Sequence, residues 1–165
     1  MERKTLPRVV SAGRSSLLFM LVLTLLNLAF AFMNSNVSFP YSSYFSMFTI
    51  YVGFLSITVY DSLAVGLIYV LIGVCVLSVF LISWFFSKKK VHWFLIAFIL
   101  YLLDTGFLVW ISLSEGFDPA YMIDYAMHAW LLYSLGAAWI QGRKLRYWVD
   151  DEDGFTVIEE ADTLQ

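Results

Sequence analysis

The chain has 165 residues, of which 61% are apolar and 19% aromatic, and its mean hydropathy is +0.77. Charged residues make up 14%, well below the roughly 25% of an ordinary soluble domain. This composition excludes a disordered chain, a nucleic-acid binder and a typical water-soluble enzyme, and leaves an integral membrane protein.

The first fourteen residues carry Arg3, Lys4, Arg8 and Arg14 and read as a basic cytoplasmic N-terminus. Ser15–Met33 follows as the first apolar stretch, about the length a spanning helix needs. Ser16–Leu28 followed by Ala29-Phe30-Ala31 also fits the apolar core and small-x-small site of a cleaved leader. The apolar run continues through Phe32 and Met33, which favours a retained span, and cleavage leaves the orientation of the rest unchanged. Asn36-Val37-Ser38 is a glycosylation sequon, relevant only in a secretory-pathway organism.

Residues 39–60 hold no charge and eight aromatic side chains. Ser42, Ser46, Thr49, Gly53 and Ser56 recur at steps of four and three, which predicts a helix over about 39–58 with one small and hydroxylated stripe. If this segment spanned, the six cations after it would lie outside, against the positive-inside rule. The expectation is therefore an outer interfacial or re-entrant helix capping the bundle, with Tyr41, Tyr44 and Tyr51 at the headgroup level; a fifth span is the rival.

Asp61 and Ser62 stand where a helix N-cap is wanted. The span Leu63–Phe86 then runs inward to Lys88, Lys89 and Lys90. Ser62, Gly66 and Gly73 lie on one face and predict close approach of another helix, with a dimer seam as the lesser alternative. The lone Cys75 falls inside this span, so no intrachain disulfide forms. Val91–Leu113 runs outward, and His92 reads as a headgroup contact. Tyr121–Ile140 returns inward to Arg143, Lys144 and Arg146. Most of the tryptophans fall toward span ends, as interfacial belts do, with Trp130 deeper. Residues 147–165 form an acidic cytoplasmic tail that reads as disordered, with weak alternation at Phe155, Val157 and Ile158 that would suit a partner's sheet. The fold expected is an all-α membrane protein with four transmembrane helices plus the outer helix, both termini cytoplasmic.

Ionisable groups inside the bilayer are costly and face the protein interior. Asp104 and His128 lie twelve residues either side of Gly116, the centre of the link between the last two spans, so both fall roughly 18 Å from that turn. Asn27 falls at a similar level in the first span and Gly73 in the second. Asn27, Asp104, Thr105 and His128 are thus expected to form one intramembrane polar ring, with Gly73 opening room for it. Asp124 stands one helical turn from His128 on the same face and is expected to orient the imidazole or widen the site.

Three functions compete for this ring. The leading one is a non-enzymatic subunit or accessory component of a membrane assembly, with Asp104 and His128 paired to fix helix register. The alternative is a proton-coupled or small-ligand-binding transporter or sensor. The third is a metal-dependent hydrolase using Asp104, Asp124 and His128 as ligands. No motif for a metal, nucleotide or nucleophile is present, so no cofactor is expected. The expected partners are the lipid bilayer and a membrane protein or a second copy, not nucleic acid.

Certain short runs carry a resemblance: Leu-Asn-Leu in the first span with the following Phe-Pro-Tyr-Ser-Ser-Tyr-Phe, Trp-Phe-Phe-Ser-Lys-Lys-Lys, Leu103-Asp104-Thr105, and Ile123-Asp124 with His128-Ala129-Trp130. On these the chain resembles a family of uncharacterised small four-span membrane proteins of Gram-positive bacteria, over about residues 15–146. The resemblance implies a bacterial source and four spans, and no activity.

Overall fold

A computed structural model of the chain describes residues 5–35, 38–116, 119, 121–143, 148–151 and 154–157. In chain order these form α1 (Thr5–Phe32), α2 (Tyr44–Thr58), α3 (Leu63–Phe86), α4 (His92–Glu115), α5 (Tyr121–Gly142), β1 (Trp148–Asp151) and β2 (Gly154–Val157). Three stretches are long and apolar enough to cross a membrane: Arg8–Phe32, Leu63–Phe86 and His92–Ser114. Long helices are what a hydrocarbon environment demands, because every backbone N–H and C=O is satisfied within the segment.

α1 begins ten residues before the predicted Ser15, so the basic residues Arg8 and Arg14 belong to its first turns. α5 forms over the predicted segment but is not among the three span candidates. Its polar groups, Asp124, His128 and Gln141 among them, dilute the apolar run. The tail also departs from the prediction: β1 and β2 pair antiparallel with Trp148 opposite Val157 and Asp151 opposite Gly154, where disorder was expected. Residues 36 and 37 of the sequon, 144–147 of the last basic run and 158–165 of the acidic tail lie outside the described residues.

The apolar core is built by α1, α3, α4 and α5. Leu17, Met20, Phe80, Phe94, Leu131 and Leu135 are all fully buried in it. α1 and α5 close on each other through glycine: a Cβ added at Gly13 would sit 2.6 Å from the Ala138 Cβ. The outward faces are apolar as well, with Leu67, Ile68 and Leu71 of α3 more than half exposed, as expected of a surface that meets lipid rather than water.

α2 does not lie across the end of the bundle. It runs antiparallel to α3 and against it, starting deep and ending at the turn that leads into α3. Gly73 faces Ser46, Thr49 and Ile50, while Gly66 faces Gly53 and Ile57. A Cβ at Gly66 would fall 2.6 Å from the Gly53 carbonyl oxygen, and one at Gly53 would fall 2.7 Å from the Gly66 carbonyl oxygen. The small-residue face of α3 thus receives a helix of the same chain. Gly73 opens no cavity beside the polar site; the Ile50 and Thr49 side chains and the Ser46 carbonyl of α2 fill that space. Ser62 sits at the α3 N-cap without a side-chain cap bond; its N–H donates to the Ser56 carbonyl at 2.9 Å. Asp61, expected to cap this helix, turns the chain instead with φ 51°.

Candidate functional site

The connection from α1 to α2 doubles back along α1 before α2 starts, and two α1 side chains hold it. Asn27 makes a reciprocal pair with the Phe39 backbone: its Nδ2 donates to the Phe39 carbonyl at 2.7 Å, and Phe39 N–H donates to its Oδ1 at 2.8 Å. One turn down, Thr24 Oγ1 donates to the Met20 carbonyl at 2.8 Å and accepts from Ser43 N–H at 2.9 Å. Between these anchors Tyr41 adopts φ 75°, a left-handed conformation that costs a bulky residue of order 1–3 kcal/mol. Its ring is buried beside Phe19, centroids 5.5 Å apart. Burial pushes the Tyr41 phenol above its ordinary range, and a hydrogen bond with Ser16 opposes that rise.

Ser43 is the N-cap residue of α2, but its hydroxyl accepts no backbone N–H of its own helix. Asp104, from the middle of α4, supplies the cap in its place. Its Oδ1 accepts from Ser43 Oγ at 2.8 Å and from Phe45 N–H at 2.8 Å, and its Oδ2 accepts from Tyr44 N–H at 3.1 Å. Those two amides are among the free donors that any helix start leaves, and the positive end of a helix favours an anionic group there. The fourth contact of the carboxylate is His128 of α5, whose Nε2 lies 3.3 Å from Oδ2. On the other edge of the ring, Nδ1 lies 2.9 Å from the Asp124 main-chain carbonyl. Tyr101 stacks on the imidazole at 4.7 Å and 16°. Asp104 is 3% exposed and His128 0%, so the pair is almost wholly buried, with only one edge of Asp104 bordering a groove.

Of the residues singled out in the sequence, Asp104 and His128 therefore meet. Asp124 is adjacent, but its carboxylate bonds the Tyr44 hydroxyl and only its carbonyl reaches His128. Asn27 serves the connection and makes no bond to the pair. Thr105 does not join either: one residue along α4 it points about 100° away, and its hydroxyl bonds the Tyr101 carbonyl at 2.8 Å. The ring expected across four helices is instead a cluster of α2, α4 and α5. Sequence reasoning missed Thr24, Ser43 and Ser46, whose hydroxyl lies 2.9 Å from that of Ser43. The signal was there in Pro40 and the Ser42-Ser43 pair just ahead of a helix, which is N-cap chemistry.

This geometry limits the chemistry. Both imidazole nitrogens are engaged, and Ser43 sits on the carboxylate rather than on the ring, so His128 does not act on Ser43 as a base. Among the described residues no group of three or more His, Cys, Asp or Glu side chains is placed to hold a metal ion. An apolar groove of about 410 Å³, lined by Phe45, Val76, Leu100, Phe107 and Trp110, reaches the back of Asp104. The Tyr101 hydroxyl and Ser42 Oγ are buried with no hydrogen-bond partner among the described residues. Comparison with protein families, with curated proteins and with solved structures gives no match.

Proposed function

We propose that the protein is a non-enzymatic integral membrane protein, an accessory component of a membrane assembly, in which Asp104 and His128 clamp a re-entrant helix. In this reading α1, α3, α4 and α5 are the four spans. The basic clusters at Arg8–Arg14, Lys88–Lys90 and Arg143–Arg146 lie in the cytoplasm. The connection after α1 dips from the outer surface to mid-membrane, and α2 climbs back along α3. α5 spans despite its lower hydropathy because its polar groups face the bundle.

The observation that carries the reading is the closure of the pair. All four contacts of the Asp104 carboxylate come from within the chain, and they bind three helices into one arrangement. A transport path would need a continuous run of polar groups past the pair, whereas the fully buried Leu17, Met20, Phe80 and Leu131 interrupt it on the side of the Ser16–Ser134 contact. α3 is the least buried of the three helices long and apolar enough to cross a membrane, with 17% of its apolar window buried against 33% and 28%, and offers the broadest face to a membrane partner. The test is co-purification from native membranes in mild detergent. A defined partner that is retained with the full chain and lost with Asp104→Ala supports the reading. A stable, monodisperse protein that carries no partner, and whose Asp104→Ala form is equally stable, refutes it.

A further inference from the structure

We infer that the Asp104–His128 contact is a binding site for a single proton, and that a second proton opens the latch on the N-terminus of α2. The inference rests on the reading of this cluster as an internal clamp. It starts from the imidazole. Nδ1 faces the Asp124 carbonyl at 2.9 Å, and a carbonyl only accepts, so Nδ1 carries hydrogen. Nε2 faces Asp104 Oδ2 at 3.3 Å. Two lone pairs do not face each other at that distance, so one proton lies between them. The remaining acceptor positions of the carboxylate are taken by the Ser43 hydroxyl and by the Tyr44 and Phe45 amides. With one proton every group is satisfied, and the proton belongs to the pair rather than to either residue.

The two neighbouring protonation states each break something different. A second proton makes Asp104 a carboxylic acid while His128 is an imidazolium. Four donors then converge on a group that holds a hydrogen of its own. Ser43 Oγ takes up that hydrogen and turns its own toward Ser46 Oγ, 2.9 Å away, and the Tyr44 and Phe45 amides of α2 then end on a neutral acid without the charge assistance of a carboxylate. Loss of the only proton instead sets the Nε2 lone pair against Oδ2. The α4–α5 contact fails, but Ser43, Tyr44 and Phe45 still donate to the carboxylate. Acid therefore loosens the hold on α2, whereas alkali releases His128 alone.

The other titratable groups facing the pair do not offset this. Tyr44 comes from α2, Tyr101 from α4, Asp124 from α5 and Tyr41 from the α1–α2 connection. The Asp124 carboxylate is engaged by the Tyr44 hydroxyl, and among the described residues no lysine or arginine contributes to the field at Tyr44, Tyr101 or Asp124. Beyond its first turn α2 keeps its seat on Gly66 and Gly73, so the freed part is the first turn and the connection before it.

The test uses the full chain in lipid nanodiscs. Amide exchange protection at Tyr44 and Phe45, corrected for intrinsic exchange, is followed from about pH 5 to about pH 10 with the side-chain nitrogen resonances of His128. His92, the other histidine, is the internal reference. Protection is expected to fall about tenfold or more toward acid, the scale of losing one charge-assisted bond, and to hold toward alkali while Nε2 of His128 shifts to its unprotonated position. In Asp104→Asn the amide can donate to Nε2 and its oxygen can still accept from Phe45, so protection at Phe45 is expected to be independent of pH. Equal protection at both ends of the range in the native protein, or a His128 that titrates in step with His92, overturns the inference. Absence of protection at Tyr44 and Phe45 at every pH overturns the clamp itself. If the Asn form does not fold, the titration of the native protein decides alone.

Discussion

Two parts of the bundle are held by opposite means. Around Gly13, α1 and α5 touch through apolar side chains and bare backbone, with Gly13 against Ala138 and Gly142 against Val10. Around α2, the contacts run through a carboxylate, an imidazole, an amide side chain and hydroxyls. In lipid there is no hydrophobic force between helices, so the first region depends on close fit, with the Ser134–Ser16 contact as a polar tie. The second region depends on directed bonds, since the Phe39, Tyr44 and Phe45 backbones each meet a side chain of α1 or α4. The polar part therefore specifies the arrangement, and the apolar part supplies contact area to whatever arrangement results.

The largest effect that would sharpen this contrast is expected from Asp104→Ala. It strands the His128 ring and three donors in a closed site, at a cost of about 3–5 kcal/mol. Fluorescence-detected gel filtration after heating should show loss of the monodisperse species. Leu135→Ala, in the apolar part, removes side-chain contacts but no polar partner. Lipid offsets the transfer term, which leaves a cavity cost of about 2 kcal/mol and a modest fall in melting temperature. Were the two substitutions equally damaging, the contrast would fail.

Asn27→Ala removes both bonds to Phe39 and should cost about 1–3 kcal/mol. Its signature is local: a cysteine placed at Ser38 should become more reactive while the melting temperature changes little. Gly66→Ala tests how α2 seats on α3, since the new Cβ must displace Ile57 or the Gly53 backbone. About 1–3 kcal/mol of overpacking is expected, read as spreading of a spin-label distance between α2 and Cys75. The smallest effect belongs to Ser134→Ala, which breaks the 3.1 Å contact with Ser16 and should cost about 0.6 kcal/mol.

The helices were legible from composition, because a run such as Leu63–Phe86 has no other stable form in lipid. The equal spacing of Asp104 and His128 about Gly116 also carried their meeting, since an antiparallel hairpin turns sequence distance into depth. What the sequence did not reveal was the third party. Depth arithmetic applies to segments that cross, and it placed Asn27 and Thr105 at the right level without saying which way each points. Thr105 was lost to the 100° step along α4. Asn27 was lost because nothing in a span announces that a returning backbone will come within its reach. The segment 39–58 read as an interfacial or re-entrant cap over the bundle because its aromatic residues suit the headgroup level. Its start is drawn inward by three α1 and α4 side chains that bond its backbone, and backbone atoms leave no mark in a sequence. The paired strands after α5 were obscured by the density of acidic residues around them.

The ties of Phe39 to Asn27 and of Ser43 to Thr24 have a consequence for length. Asn27 and Thr24 are one turn apart, about 4.5 Å along the helix, while Pro40, Tyr41 and Ser42 must fit between the residues they hold. The left-handed step at Tyr41 takes up that slack. Removing or adding one residue there would slide α2 by about 1.5 Å and rotate it by about 100°, carrying Gly53 away from Gly66 and both latch amides away from the carboxylate. Single-residue indels between 39 and 43 should be tolerated far less well than substitutions in the same segment, so this short reach of chain acts as the ruler for the seating of α2.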